Sequence, residues 1–175
     1  SANAADDNTA VGYEALKVVT GSDNTAVGSY AGVSLTSGED NTLMGINSGD
    51  ALTDGSYNVA MGFHALSSSQ SGSSNVAIGW QAMYGSNHTD ANGTVAIGAS
   101  SLQSLSSGQY NVAVGYAAGY AITTGDKNTC IGYEAGGSST GIDTLSDNTF
   151  VGFRAGLKID SGANNTAIGS QAMES

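Results

Sequence analysis

One sequence unit recurs ten times along this 175-residue chain and constrains its fold more than any other feature. Each unit places a β-branched residue, a mostly small residue and an aliphatic residue directly before a glycine. These marker glycines are spaced 16 to 20 residues apart, and most often 17. Such a period indicates a repeat architecture in which each unit packs on its neighbours. The marker glycines are Gly12, Gly28, Gly45, Gly62, Gly79, Gly98, Gly115, Gly132, Gly152 and Gly169.

The three residues before each marker glycine alternate as a β-strand does. The first is always Thr or Val and the third is always Val, Ile or Met. Alternate residues of a strand share one face, so these two positions are predicted to point together into the fold. The middle position is Ala in seven units, with Leu43, Cys130 and Phe150 as exceptions. The sequence therefore predicts a nearly flat apolar face on the opposite side, open to lateral contact.

Composition supports an all-β fold. The chain has 26 Gly, no Pro and only 11% charged residues, and no segment shows the apolar spacing of a helix. Each unit is expected to form one strand ending at the marker glycine, a second short strand after it, and a polar turn. The predicted fold is a parallel β-roll, or β-solenoid, of ten repeats of about 17 residues, with parallel ladders on both sides. Residues 1–175 are predicted to form a single repeat domain.

A column of asparagines lies four positions before the marker glycines. Stacked amides can hydrogen-bond from one coil to the next, so the column is interpreted as an architectural ladder. Calcium binding is the alternative, because Asp7, Asp23, Asp40 and Asp147 precede four of these amides. The other units lack that acidic partner, and no metal or other cofactor is expected. Thr94 replaces asparagine in one unit, and the column consists of Asn8, Asn24, Asn41, Asn58, Asn75, Asn111, Asn128, Asn148 and Asn165.

Charge and hydropathy exclude several classes of partner. The formal net charge of −11 repels nucleic acid. No apolar stretch approaches the roughly 18 to 20 residues that span a bilayer, so no membrane insertion is expected. The first five residues lack the features of a signal peptide, and the chain is expected to be a segment of a longer fibre protein. Cys130 occupies a position otherwise filled mainly by Ala and is interpreted as a packed thiol.

Aromatic residues follow the marker glycine in six units. A coil of two short strands is too thin to bury them together with the flat alanine stripe. These features predict lateral association, and a closed homotrimer would cover the apolar surface economically.

Two segments resemble known fibre repeats. Asn-Val-Ala-Ile-Gly at 75–79 and Val-Ala-Ile-Gly at 95–98 resemble the head units of trimeric autotransporter adhesins. The unit at 8–16 is similar to arrays in phage tail fibres and in mosaic trimeric surface fibres of bacteria. The resemblance implies a left-handed parallel β-roll in a homotrimer, located outside the cell, at a cell surface or on a virion. It also implies a structural and adhesive role toward a host, prey or matrix surface, with a cell-surface glycan or a matrix protein as partner.

A longer spacing between Gly79 and Gly98 marks a candidate ligand site. It brings Trp80 close in sequence to amide, carboxylate and further ring side chains, a combination that suits sugars and other polar ligands. The alternative is that Trp80 fills the same packing position as Tyr13 and Phe63. The candidate ligand-binding residues are Trp80, Tyr84, Asn87, His88 and Asp90.

Catalytic patterns are not evident. His64 and His88 have no metal-ligand spacing and no apparent acid–base partner, and the chain is not expected to be an enzyme. Two other functions are kept open: a monomeric solenoid with an ice-binding threonine face, and a fibre-borne polysaccharide hydrolase that uses paired carboxylates.

Overall fold

The computed structural model describes residues 5–85, 91–137, 144–159 and 161–174 and shows a parallel β-solenoid. Each coil contributes one three-residue strand directly before its marker glycine, and the strands pair in chain order into a single ten-stranded sheet. The all-β prediction is therefore confirmed. The strands are β1 Thr9–Val11, β2 Thr25–Val27, β3 Thr42–Met44, β4 Val59–Met61, β5 Val76–Ile78, β6 Val95–Ile97, β7 Val112–Val114, β8 Thr129–Ile131, β9 Thr149–Val151 and β10 Thr166–Ile168.

The described ranges contain no helix. They therefore contain no helix that could cross a membrane. All nine strand pairings are parallel and have the same register. Val59 pairs with Val76, for example, and Met61 pairs with Ile78. Equivalent strand residues of the ten coils therefore form straight columns along the solenoid.

The predicted orientation of the strand side chains was wrong. The middle residue of each strand from β2 to β10 is buried inside the coil, whereas both flanking residues are partly or fully exposed. The reason is the small interior of a single coil. Leucines from the segment after the strand, such as Leu66 and Leu102 four residues after their marker glycines, occupy this interior and are buried. Only a small strand residue fits opposite them, so the larger aliphatic residues point outward.

The core residues complement one another in size. Where the strand centre is Ala60 or Ala96, the residue four after the marker glycine is leucine. Where the strand centre is Phe150, the equivalent residue is Gly156, and a Cβ there would lie 2.6 Å from Phe150 Cδ1. Leu43 and Gly49 repeat this relation, with a corresponding separation of 2.9 Å. In these two coils a large side chain from the strand thus replaces one from the turn.

The predicted second strand of each coil does not form in the described residues. The chain turns instead, because the residues two and four after each marker glycine have positive φ. The residue two after each marker glycine is never itself glycine, and its φ lies between 51° and 60°. Its N–H bonds to the preceding coil, as in Tyr30 N to Tyr13 O at 2.8 Å. This hydrogen bond compensates for the roughly 1–2 kcal/mol cost of a left-handed backbone.

The marker glycines stack directly on one another. Their φ values lie between 126° and 143°, a region open essentially to glycine alone. In addition, a Cβ on Gly79 would lie 2.6 Å from the carbonyl oxygen of Gly98 in the next coil. Backbone conformation and close approach therefore both require glycine here.

The asparagine column forms a hydrogen-bonded ladder inside the solenoid. The Oδ1 atom of Asn41 accepts from both the N–H and the Nδ2 of Asn58, each at 3.0 Å. The Nδ2 of Asn41 donates to the carbonyl of Gly55 at 2.9 Å. Gly55 belongs to a second column of glycines, which lies seven residues before the marker glycines. The role of this second column as hydrogen-bond acceptor was not predicted. The amides are therefore engaged in holding the coils together.

Thr94 interrupts this ladder, and replacing it should stabilise the protein. Its hydroxyl accepts from Asn111 N at a long 3.4 Å, and it has no amide to donate to the carbonyl of Gly108. We expect Thr94→Asn to raise stability by about 1 kcal/mol, the usual net gain of one buried hydrogen bond. Urea unfolding would measure this change in the free energy of unfolding. Asn41→Ala is the matched opposite change and should cost about 2–4 kcal/mol because it leaves buried backbone groups unpaired. Destabilisation by Thr94→Asn would contradict the interpretation of the ladder.

Candidate functional site

The outward side of the ten-stranded sheet is an uncharged and largely apolar surface. It consists of the side chains three and one before the marker glycines, which are exclusively Thr, Val, Ile and Met. We call these twenty positions the sheet face. They are partly or fully exposed in every coil, and Ile97, for example, is 37% exposed. Because the strands share one register, the sheet face is regular along the described coils.

An aromatic column borders the sheet face at the position just after the marker glycines. The rings of Tyr116 and Tyr133 stack with centroids 5.2 Å apart, and those of Tyr133 and Phe153 with centroids 5.5 Å apart. Both pairs have an interplanar angle of 16°. Between Trp80 and Tyr116 the column is interrupted by Ala99. The column therefore has one small residue where its neighbours present large rings.

A groove of about 840 Å³ lies beside this column, where the chain turns away from the sheet. We call it the corner groove. Its aromatic lining comes from Trp80, Tyr116 and Tyr120, which are 51%, 52% and 42% exposed. Gln103 contributes an amide to it, and its Nε2 donates to Gln81 Oε1 at 2.9 Å. Exposed rings beside polar side chains make this groove a candidate binding site.

Charges in the corner groove balance one another. Arg154 Nε donates to Glu134 Oε2 at 2.8 Å, and the guanidinium lies 5.2 Å from the centroid of the Phe153 ring. Lys158 and Glu174 add one charge of each sign to the lining. Glu134 also raises the pKa of the Tyr133 hydroxyl, through a side-chain hydrogen bond and through its charge. The groove is thus close to neutral, although the chain as a whole carries a charge of −11.

The structure places Trp80 and Tyr84 in neighbouring grooves. Trp80 lines the corner groove, whereas Tyr84 lines a smaller one of about 410 Å³. Gln103 and Tyr120 line both grooves. The other predicted ligand-binding residues, Asn87, His88 and Asp90, lie outside the described residues.

His64 has a partner that sequence reasoning missed. Its Nδ1 lies 3.0 Å from Ser67 Oγ, and the Ser67 hydroxyl donates to Asp50 Oδ1 at 2.6 Å. Asn47 Nδ2 lies 3.3 Å from the other ring nitrogen. The hydroxyl thus lies between the imidazole and the carboxylate, whereas the imidazole is central in a Ser-His-Asp triad. Stacking brings Asp50 and Ser67 together although they are 17 residues apart, so no local motif could indicate this contact.

Other chemically reactive groups are few in the described part of the chain. No three His, Cys, Asp or Glu side chains come together there as metal ligands. Cys130 is buried, and burial raises the pKa of its thiol to about 12. The thiol therefore stays protonated at neutral pH and packs as a small apolar group.

The fold and these surfaces define the chain as a β-solenoid repeat protein. Comparisons with protein-family models, curated proteins and solved structures found no match.

Proposed function

We propose that this chain is a structural and adhesive segment of a surface or virion fibre and that it assembles as a homotrimer. The observation that carries the proposal is the sheet face, in which twenty outward positions contain no charged residue. Charged side chains of the described residues lie elsewhere, for example Asp23 and Asp40 in the polar turns and Glu134 and Arg154 along the corner groove. Extended apolar surfaces of this kind mark interaction sites.

A second and third copy of the same chain are the proposed occupants of the sheet face. The face repeats with the period of the coils, and another copy offers an apolar surface of the same length and spacing. Identical surfaces favour closed symmetric assemblies. The number three comes from the resemblance to trimeric fibre repeats, as does the extracellular location.

Adhesion would then benefit from repetition. A stack of coils joined by hydrogen bonds on several sides is a stiff support, and its outward turns are repeated in each copy. Three equivalent weak sites on one rigid support bind a surface far more strongly than one site alone. A cell-surface glycan or a matrix protein is the proposed partner.

Ile97→Asp should abolish the trimer. The wild-type chain is expected to show about three times its mass of 17.3 kDa in size-exclusion chromatography with light scattering. A carboxylate at the centre of the sheet face would have to be buried without a partner, which costs several kcal/mol. The variant should therefore run as a monomer at micromolar concentration and retain its β-sheet circular dichroism.

Tyr57→Asp provides the matched control. Tyr57 is 63% exposed in a polar turn, outside the sheet face, and its column already contains Asp23 and Asp40. The control should remain trimeric. A wild-type monomer, or a trimer that tolerates Ile97→Asp, would contradict the proposed assembly.

The outward orientation of the sheet face also favours a second function, ice binding. Thr25 and Thr42 lie in neighbouring strands with the same register, and both are partly exposed. Regular hydroxyl and methyl columns on a flat sheet can order water. This surface serves only one role at a time, so a wild-type monomer that shows thermal hysteresis would favour ice binding over the trimeric fibre. A trimer without hysteresis would exclude it.

A further inference from the structure

We infer that the corner groove binds a neutral linear oligosaccharide, with one sugar ring inserted between Trp80 and Tyr116 at the position of Ala99. This inference deepens the proposed adhesive function and names its ligand class. It rests on the gap in the aromatic column, on the polar groups that line the corner groove and on the balance of charge.

The gap at Ala99 has the dimensions of one ring. Adjacent coils of a parallel sheet lie about 4.8 Å apart, so two coils separate Trp80 from Tyr116 by about 10 Å. In the same column, stacked rings in adjacent coils are 5.2 and 5.5 Å apart. A ring above Ala99 would therefore lie about 5 Å from each neighbour, within the range of favourable ring contacts.

The polar side chains of the corner groove indicate a sugar. A purely aromatic ligand would leave the Gln103 amide and the Glu134 carboxylate facing an apolar surface. A pyranose presents its C–H face to aromatic rings and its hydroxyls at its edge. Gln103, in the coil of Ala99, can accept from the hydroxyls of the inserted ring. Glu134 and Arg154, two and three coils further along, can accept from and donate to the hydroxyls of the following rings.

Charge and length specify the ligand further. The groove lining contains two cations, Arg154 and Lys158, and two carboxylates, Glu134 and Glu174, which favours a ligand without net charge. The groove extends from Trp80 in the fifth coil to Glu174 in the tenth. That distance is about 24 Å at ~4.8 Å per coil, which suits several linked sugars better than a single one.

Ala99→Tyr is the decisive variant. It should fill the gap without disturbing the fold, because tyrosine is native at this position in the coils of Tyr116 and Tyr133. Binding would be measured by isothermal titration calorimetry with cello-, chito-, malto- and manno-oligosaccharides of four to six units. We expect one of these series to bind the wild type, and both Ala99→Tyr and Trp80→Ala to weaken it at least about tenfold.

Phe63→Ala is the matched control, since Phe63 lies in the same column but does not line the corner groove. It should change affinity less than about twofold. Light scattering on the same samples separates this inference from the proposed assembly. A folded trimer that binds none of the probes, or binding unchanged by Ala99→Tyr, would overturn the oligosaccharide site alone. A monomer that binds with the expected variant pattern would overturn the trimer alone.

Discussion

Gly79→Ala is expected to destabilise the protein by about 4 kcal/mol and to lower its melting temperature by roughly 10 °C. The backbone of Gly79 has a φ of 133°, which an L-residue adopts only with strain. The added methyl would also lie 2.6 Å from the Gly98 carbonyl oxygen, so the two coils would have to separate. Thermal unfolding followed by circular dichroism would measure the change.

Two further glycines separate the contribution of backbone strain from that of stacking. Gly12 and Gly169 are the marker glycines of the first and last coils. A methyl on Gly12 would meet the carbonyl of Gly28, whereas one on Gly169 would meet nothing within 4 Å. Gly169→Ala should therefore cost only the strain, about 1–3 kcal/mol, and Gly12→Ala should cost more. Equal losses for these two variants would contradict the stacking argument.

Phe150→Ala should be similarly damaging, at about 3–5 kcal/mol. The Phe150 ring is fully buried at a strand centre where most coils have alanine. Its removal leaves a cavity, because Gly156 provides no side chain to fill the space. Gly156→Leu alone should also destabilise the protein, since its Cβ would lie 2.6 Å from Phe150 Cδ1. Urea unfolding of each variant would measure both effects.

Combining Phe150→Ala with Gly156→Leu should restore much of the stability that each single variant loses. The double variant recreates the native pairs of Ala60 with Leu66 and Ala96 with Leu102. Leucine tolerates the backbone required, because Leu66 has a φ of 54° and Gly156 one of 68°. A favourable coupling energy of at least about 1 kcal/mol is expected in the double-mutant cycle. Simple additivity of the two losses would refute the exchange of volume between strand and turn.

The repeat predicted the parallel fold and the strand positions because both follow from local pattern. Val76–Ile78 and Thr25–Val27, for example, end at their marker glycines. The asparagine column was also identified from spacing alone, but its acceptors were not. Gly38 and Gly55 accept from amides of the preceding coil, and only the stacked structure brings these groups together.

The orientation of the strands could not be read from alternation, which shows that two faces differ but not which one is inside. The deciding factor is the volume of the coil interior. Residues outside the strand set that volume, including buried Leu35, Leu52 and Leu105, seven positions after their marker glycines. The corner groove was not predicted from the sequence for a related reason. Trp80, Tyr120 and Arg154 come from different coils, and no local motif joins them.

The constant register of the sheet has a consequence for how the length of such a molecule can change. Removing residues 60–76 would join Val59 to Ala77, the residue that follows the pairing partner of Val59 in β5. Each residue after the junction would occupy a position equivalent to its former one, and the amide ladder would lose a single rung. Duplication or deletion of a 17-residue repeat in the gene could therefore lengthen or shorten the solenoid without changing the packing of its core.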